Sequence, residues 1–240
     1  MKNLTHFIFT CIKTLTKNSL IVLLIGLPLS SVADIFVDRA IVRMSADQTP
    51  REDIKVINNG SDVGYVQIEV FEVRNPGSDK EERVKITDPD QLKLIVSPSK
   101  LMIPANSQKL VRIVNLDPGS SDERIYRINV TPVLAPLEED NGSVVRVVVA
   151  YQLLIIIDPA EPKETLNIVR NGKKLTIENN GNTNVLLNDG KQCNNEGNNC
   201  FDIAAHRVYP GNTWSIDLEK DAPATFKLTS FNGIREITTQ

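Results

Sequence analysis

From Asp34 to the end of the chain, no long stretch repeats its apolar residues at a helical spacing. Short segments alternate apolar and polar residues instead, and Gly, Pro, Asn and Asp close them off. That alternation is the side-chain period of a strand with one buried face. In Gly64 to Arg74, Val66, Ile68 and Val70 share one face while Gln67 and Glu69 share the other. Ser107 to Asn115 behaves similarly, as does Glu123 to Val133, where Tyr126, Ile128 and Val130 align. Asn58-Asn59-Gly60, Asp117-Pro118-Gly119 and Asn141-Gly142 supply turns between such segments. Strands of this kind in a chain of 240 residues with 41% apolar content imply an all-β protein built from β-sandwiches.

The composition narrows the partners. Aromatic residues make up only 5% of the chain, too few for a nucleic-acid stacking platform. The net charge of −3 also argues against a phosphate-binding surface, so nucleic acid is not expected.

The first 33 residues read as an address rather than as part of the fold. Lys2, Lys13 and Lys17 are positive, and no acid precedes Asp34. An apolar run from Ser19 to Leu29 is interrupted only by Gly26 and Pro28, and Ser31-Val32-Ala33 puts small residues at the −3 and −1 positions. This is the pattern of a secretory signal cleaved after Ala33. The run is short for a membrane anchor, which needs roughly 20 apolar residues. Cleavage removes three lysines and no acid, which takes the charge to −6.

Cys11 leaves with that segment, and Cys193 and Cys200 remain. An even cysteine count after export reads as a disulfide, here clipping an Asn- and Gly-rich loop. His206 lies near in sequence, but no third and fourth metal ligand is evident, so neither metal nor cofactor is expected.

A stiff connection, Asp158-Pro159-Ala160-Glu161-Pro162, divides the strand pattern. The expected organisation is a signal over 1–33, a first sandwich over 34–158 and a second over 159–240. Strands expected in the second are Thr165 to Arg170, Lys173 to Glu178, Asn184 to Leu187, Thr213 to Leu218, Ala224 to Thr229 and Gly233 to Thr238.

Just before the connection, Val144 to Ile157 is the most apolar stretch of the mature chain, β-branched and longer than a usual strand. A strand apolar on both faces has to be covered on both faces. Leu153 to Ile157 can be buried in the first sandwich. Val144 to Val149 carries Arg146 and follows a polar segment, so it reads either as an inner strand or as an edge that keeps its valines available. A bare apolar edge is an aggregation hazard, and a secreted protein that retains one has a use for it in pairing with another chain.

At this point the chain resembles the PapD-like periplasmic chaperones that assemble pili in chaperone–usher systems. The likeness covers most of Asp34 to Gln240. It rests on Leu94-Ile-Val-Ser-Pro-Ser-Lys-Leu-Met-Ile-Pro104, read as a strand with a central proline, on the basic strand Gln108 to Ile113, and on Glu123 to Val130. Asn179-Asn-Gly-Asn182, followed by Cys193 to Cys200 and Tyr209-Pro210, resembles the branch serving colonisation-factor fimbriae. The resemblance implies two tandem immunoglobulin-like domains, pilus subunits and an outer-membrane usher as partners, and no catalysis. It leaves open whether the free chaperone self-associates to cap its edge.

The resemblance also implies site residues. Val145, Val147 and Val149 match the alternate residues of the family's donor strand, and a strand's period of two puts them on one face. Arg43, with Arg39 as second choice, matches the basic residue that binds the C-terminal carboxylate of a pilus subunit. The family's second basic residue aligns with Leu154, which cannot bind a carboxylate. Arg127 is one candidate to take over, and a differently built anchor is the other. Asp158 stands where an arginine is expected, and Glu123 matches the family's acidic residue.

Two other classes compete with this reading. An enzyme would need more than His206, the one histidine left after processing, and no nucleophile motif or phosphate loop accompanies it. A secreted adhesive or structural pilus protein would share the strands and the signal, but it would more often be a single incomplete sandwich with its own N-terminal extension.

Overall fold

The structure, a computed structural model, describes residues 35–45, 50–134, 147–194 and 199–239. The expected signal segment and Val145 lie outside these residues.

Among the described residues the first sandwich holds ten strands: β1 (Ile35–Val37), β2 (Ile41–Met44), β3 (Arg51–Asn58), β4 (Gly64–Arg74), β5 (Glu82–Val84), β6 (Leu94–Ser97), β7 (Lys100–Ile103), β8 (Ser107–Asn115), β9 (Arg124–Pro132) and β10 (Tyr151–Ile157). One sheet runs β1-β3-β8-β6. The other runs β2-β10-β9-β4-β5, with β7 also paired to β4. The alternating residues close the core between the sheets: Val66, Ile68, Tyr126, Ile128 and Val130 meet Ile54, Val56, Val111 and Ile113, all buried.

The segment 94–104, expected as one strand with a central proline, is two strands in different sheets. β6 pairs with β8 in one sheet and β7 pairs with β4 in the other. Pro98 has no N–H to donate to a ladder, and the chain passes from one sheet to the other here.

The second sandwich holds β11 (Leu166–Asn171), β12 (Lys174–Asn179), β13 (Val185–Cys193), β14 (Cys200–Ile203), β15 (His206–Val208), β16 (Thr213–Asp217), β17 (Thr225–Ser230) and β18 (Gly233–Thr238). They form the sheets β11-β12-β16 and β14-β13-β17-β18, with β15 on β13. Leu175, Ile177, Val185, Leu187, Phe226 and Leu228 fill the space between.

Both sandwiches use one device, at the end of β3 in the first and of β12 in the second. Asn58 is buried and donates from Nδ2 to the carbonyls of Asp62 (2.8 Å) and Ile103 (2.9 Å), while its Oδ1 accepts from the N–H of Gly60 (2.9 Å). Asn179 repeats this with the carbonyls of Thr183 and Val208 (2.9 Å each) and the N–H of Gly181 (3.0 Å). A buried amide satisfied on both ends pins the turn to a neighbouring strand. Gly181 is required because a Cβ there would lie 2.2 Å from the Lys163 carbonyl oxygen.

Cys193 and Cys200 face each other in the β13–β14 hairpin and are joined by a disulfide. The bridge closes a loop with a sequence separation of 7. Chain-entropy loss for so short a loop contributes at most about 2.5 kcal/mol. A Cys193→Ser/Cys200→Ser double variant is expected to lower the urea-unfolding free energy by about that amount. An unchanged value would mean that strand pairing alone holds the hairpin.

Candidate functional site

Two features of the β2-β10-β9-β4 sheet make up the candidate site: the end of β10 and its outward face. Leu153, Ile155 and Ile157 point into the first core and are fully buried. Ahead of Tyr151 the apolar run continues without a ladder partner among the described residues. Val147 is 86% exposed, and Val148 and Val149 are 43% and 45% exposed. The run is therefore buried from Leu153 to Ile157 and bare from Val147 to Ala150.

The outward face follows from register. Leu154 lies opposite Ile41 of β2 on one side and Arg127 of β9 on the other. Two residues along, Ile156 lies opposite Arg43 and Ile125. With a period of two, Asp158 and Glu123 complete the same face. Val73, Ile125, Leu154 and Ile156 pack there against Tyr209 of the second sandwich. Gly77 allows the approach, since its Cβ would stand 2.7 Å from the Tyr209 ring.

Arg43 sits between two carboxylates at this junction. Its Nε is 3.1 Å from Asp158 Oδ1, and its Nη2 is 3.8 Å from Glu123 Oε2. The Glu123 and Asp158 side chains are only 2% and 5% exposed, against 25% for Arg43. Glu123 Oε2 also accepts from the Asn184 N–H (2.8 Å), Asn184 Nδ2 (2.5 Å) and Thr183 Oγ1 (2.9 Å). Thr183 Oγ1 lies 3.2 Å from Asp158 Oδ1 as well. The two sandwiches are thus stitched by carboxylates of the first and hydroxyl and amide groups of the second. Arg43 Nε and Nη2 are buried and face these two carboxylates.

Arg39 sits elsewhere. It lies at the bend between β1 and β2 and pairs with Asp38 (3.5 Å) and Glu52 (3.6 Å), with a hydrogen bond to the Asp53 carbonyl. Sequence reasoning missed Arg207 of β15. Its guanidinium donates to Asn184 Oδ1, which ties it to the Glu123 cluster. Burial pushes its pKa down, and the positive charges of Arg43 and Arg127 push the same way. No sequence signal distinguished it from a solvated arginine, because its surroundings are set by packing across strands and between the sandwiches.

Burial pushes the carboxyls of Glu123 and Asp158 above their ordinary range, against the pull of their hydrogen bonds and of Arg43. The folded state therefore holds these protons more tightly than the unfolded chain. The stability these groups contribute is complete below about pH 4 and is lost as pH rises through their raised values. Asp53 and Asp189, held down by hydrogen bonds from Arg112 and Lys227, act in the opposite direction. A Glu123→Gln/Asp158→Asn variant isolates the buried pair: its stability relative to wild type should rise as the pH is raised above about 4. Urea midpoints differing by a constant amount across that range would rule the effect out.

Among the described residues no cluster of acids, histidines and cysteines could hold a metal ion, and no helix is long and apolar enough to cross a membrane.

Two immunoglobulin-like sandwiches meeting at such a junction define the fold of the two-domain fimbrial chaperones. The crystal structure of a Class 5 fimbriae chaperone, CfaA, matches with a TM-score of 0.63 at 24% identity, over 86% of this chain and 99% of that one. The Salmonella enterica SafA pilin in complex with the SafB chaperone matches with a TM-score of 0.62 at 17% identity, over 87% and 97%. Residues 34–163 match the pili and flagellar-assembly chaperone family through its PapD N-terminal domain. The chain belongs to this family of pilus-assembly chaperones. A CFA/I fimbrial protein of Escherichia coli is 28% identical over 195 residues, 77% of this chain and 81% of that protein. A CS1 fimbrial protein of Escherichia coli is 26% identical over 192 residues, 76% and 80%. Both are colonisation-factor fimbrial proteins, as the motifs around Asn179 and Cys193 led us to expect.

Proposed function

We propose that this protein is a periplasmic chaperone that holds pilus subunits by donating a strand and hands them to an outer-membrane usher by strand exchange. The observation that carries the reading is the bare valine edge at 147–149, continuous with a strand whose other half is locked in the core. The donor residues are Val145, Val147 and Val149. The first domain, 34–158, supplies this edge and the second, 159–240, closes the cleft. Residues 1–33 direct export and are removed.

The C-terminal carboxylate of the bound pilin is held in the cleft by Arg43. Its place on the outward face, beside Ile156, supports it over Arg39, the second choice, whose contacts are with β3 and Asp38. No catalysis, cofactor or nucleic acid enters this mechanism; binding a folded pilin stabilises it by mass action. The solved relatives are in keeping with this reading, since SafB was captured with a pilin and CsuC with the CsuE tip adhesion subunit.

The test is co-expression of the tagged chain with the pilin encoded beside it, followed by recovery from the periplasm. A stoichiometric soluble pair is expected. A chain that recovers no pilin and is found on the cell surface would transfer the assignment to a secreted adhesive protein.

A further inference from the structure

The second sandwich leaves one seam between its sheets open. In a constant-type immunoglobulin sandwich, the sheet that holds the first two strands has four members. Here that sheet is β11-β12-β16 and stops at β16, whose only partner among the described residues is β12. β15, the strand before it, is paired to β13 of the opposite sheet instead. The inner face registers the gap. Trp214 and Ile216 lie opposite Ile177 and Leu175 of β12. Ile177 and Leu175 are fully buried, whereas Trp214 and Ile216, one strand further out, are only half-buried. An open groove of about 300 Å³ runs beside them, lined across the seam by Phe201 and Ile203 of β14 and by His206 of β15.

The backbone of β16 is free along this groove. The Leu218 N–H donates to the Lys173 carbonyl (2.7 Å), and the Asn179 N–H donates to the Asn212 carbonyl (3.0 Å). Hydrogen-bonded pairs alternate along an antiparallel ladder, so Trp214 and Ile216 spend their backbone groups on β12. Thr213, Ser215 and Asp217 then turn their N–H and C=O groups outward, a template for one more strand. Both ends of the groove are held. His206 stacks on Trp214 with ring centroids 4.7 Å apart, and Lys220 Nζ lies 5.0 Å from the centre of the Phe201 ring. Buried Gln192 fixes the turn that carries Lys220, donating to the carbonyls of Lys220 (2.8 Å) and Ala222 (2.7 Å). A preformed groove costs little ordering on binding. Its charge is one-sided: Asp202, Asp217 and Glu219 line it, no lysine or arginine does, and none of the three acids is ion-paired among the described residues.

We propose that this seam binds an extended polypeptide segment of a partner chain, which adds to β16 as the fourth strand of the sheet, turns alternate small apolar side chains toward Ile203 and Ile216, and presents a lysine or arginine to Asp202, Asp217 and Glu219. The unpaired backbone row selects an extended chain over a small molecule. The half-buried Trp214 and Ile216 select apolar residues at every second position, and the unpaired acids select a basic one. The site is separate from the valine edge at 147–149 and does not depend on it.

Trp214 is the only tryptophan in the chain, so its emission reports directly on the groove. The probes are short peptides, blocked at both ends, that alternate valine with threonine and carry either lysine or glutamate at the centre. They are titrated into the full mature chain. The lysine peptide is expected to shift the emission to the blue, saturably, and to bind about fivefold more tightly than the glutamate peptide. Ser215→Pro removes an outward N–H that no β12 carbonyl uses, and an edge strand tolerates proline at such a position. It should weaken binding of the lysine peptide by about fivefold or more. Asp202→Lys/Asp217→Lys should invert the preference between the two peptides. Val147→Glu should bind both as wild type does. The absence of a saturable shift with either peptide would overturn the proposal and leave β16 an edge blunted by its shortness and charge. Wild-type affinity in a folded Ser215→Pro protein, or loss of binding in Val147→Glu, would overturn it by placing the peptide elsewhere. If Ser215→Pro does not fold, the charge reversal decides alone, and an unchanged preference overturns the proposal. Self-association of the chain by itself in sedimentation, abolished by the charge reversal, would give the groove to a second copy and overturn it as well.

Discussion

Val147→Glu is expected to abolish recovery of a co-expressed pilin while the chaperone itself stays folded. Val147 is 86% exposed, so the free protein gains an ordinary surface carboxylate and its stability should shift by no more than about 0.5 kcal/mol. In a donated strand the same side chain enters an apolar groove. Valine burial contributes roughly 1.5–3 kcal/mol, and that is lost. Placing a carboxylate there adds a desolvation cost of several kcal/mol. The combined loss exceeds about 4 kcal/mol, or roughly a thousandfold in affinity. Val148→Glu points to the opposite face and should cost much less, which makes the pair a test of alternation as well as of site. Quantified periplasmic pull-down decides it, with thermal melts as the folding control. Full pilin recovery with the Val147→Glu protein would remove the donor-strand mechanism.

Arg43→Ala should have the second largest effect, and it should show first in stability. Glu123 and Asp158 lose their common cation while remaining only 2% and 5% exposed. Breaking a buried ion pair by removing one partner costs about 3 kcal/mol or more. Part of that loss should be recovered on acidification, because both carboxyls are already raised by burial and can take up protons. Loss of pilin binding by this variant alone would therefore not isolate an anchor. Arg43→Lys keeps the charge near Asp158 but not the forked donor geometry. Near-native stability with weakened pilin recovery is expected for it. Full recovery with a stable Arg43→Lys protein would take the anchor role away from Arg43, and unchanged stability of Arg43→Ala would mean the ion pairs do not form in solution.

Much of the fold was legible because alternation in a half-buried strand is a local property. Val66, Ile68, Tyr126, Ile128 and Val130 could be sorted to one side without knowing what they face. The expected strands 165–170, 173–178 and 224–229 each fall within one residue of the observed ones. Pro98 misled for an equally local reason: its ring interrupts a ladder visibly, but whether the chain resumes in the same sheet or the opposite one depends on β8 and β4, which are distant in sequence. β14 and β15 were not expected, since they are three or four residues long and owe their pairing to the β13 edge.

The site divides along the same line. The sequence by itself determined the all-β class, the apolar run before Asp158 and the absence of a basic residue at Leu154, because each is a property of neighbours along one strand. Only the tertiary structure decided what stands beside Leu154. Register across β10 and β9 brings in Arg127, docking of the second sandwich brings in Arg207 and Tyr209, and the burial of Glu123 and Asp158 turns Arg43 from a surface arginine into the centre of an ion-paired junction. Cross-strand and cross-domain neighbours are set by packing and hydrogen-bond register, and neither is written in the spacing of residues along the chain.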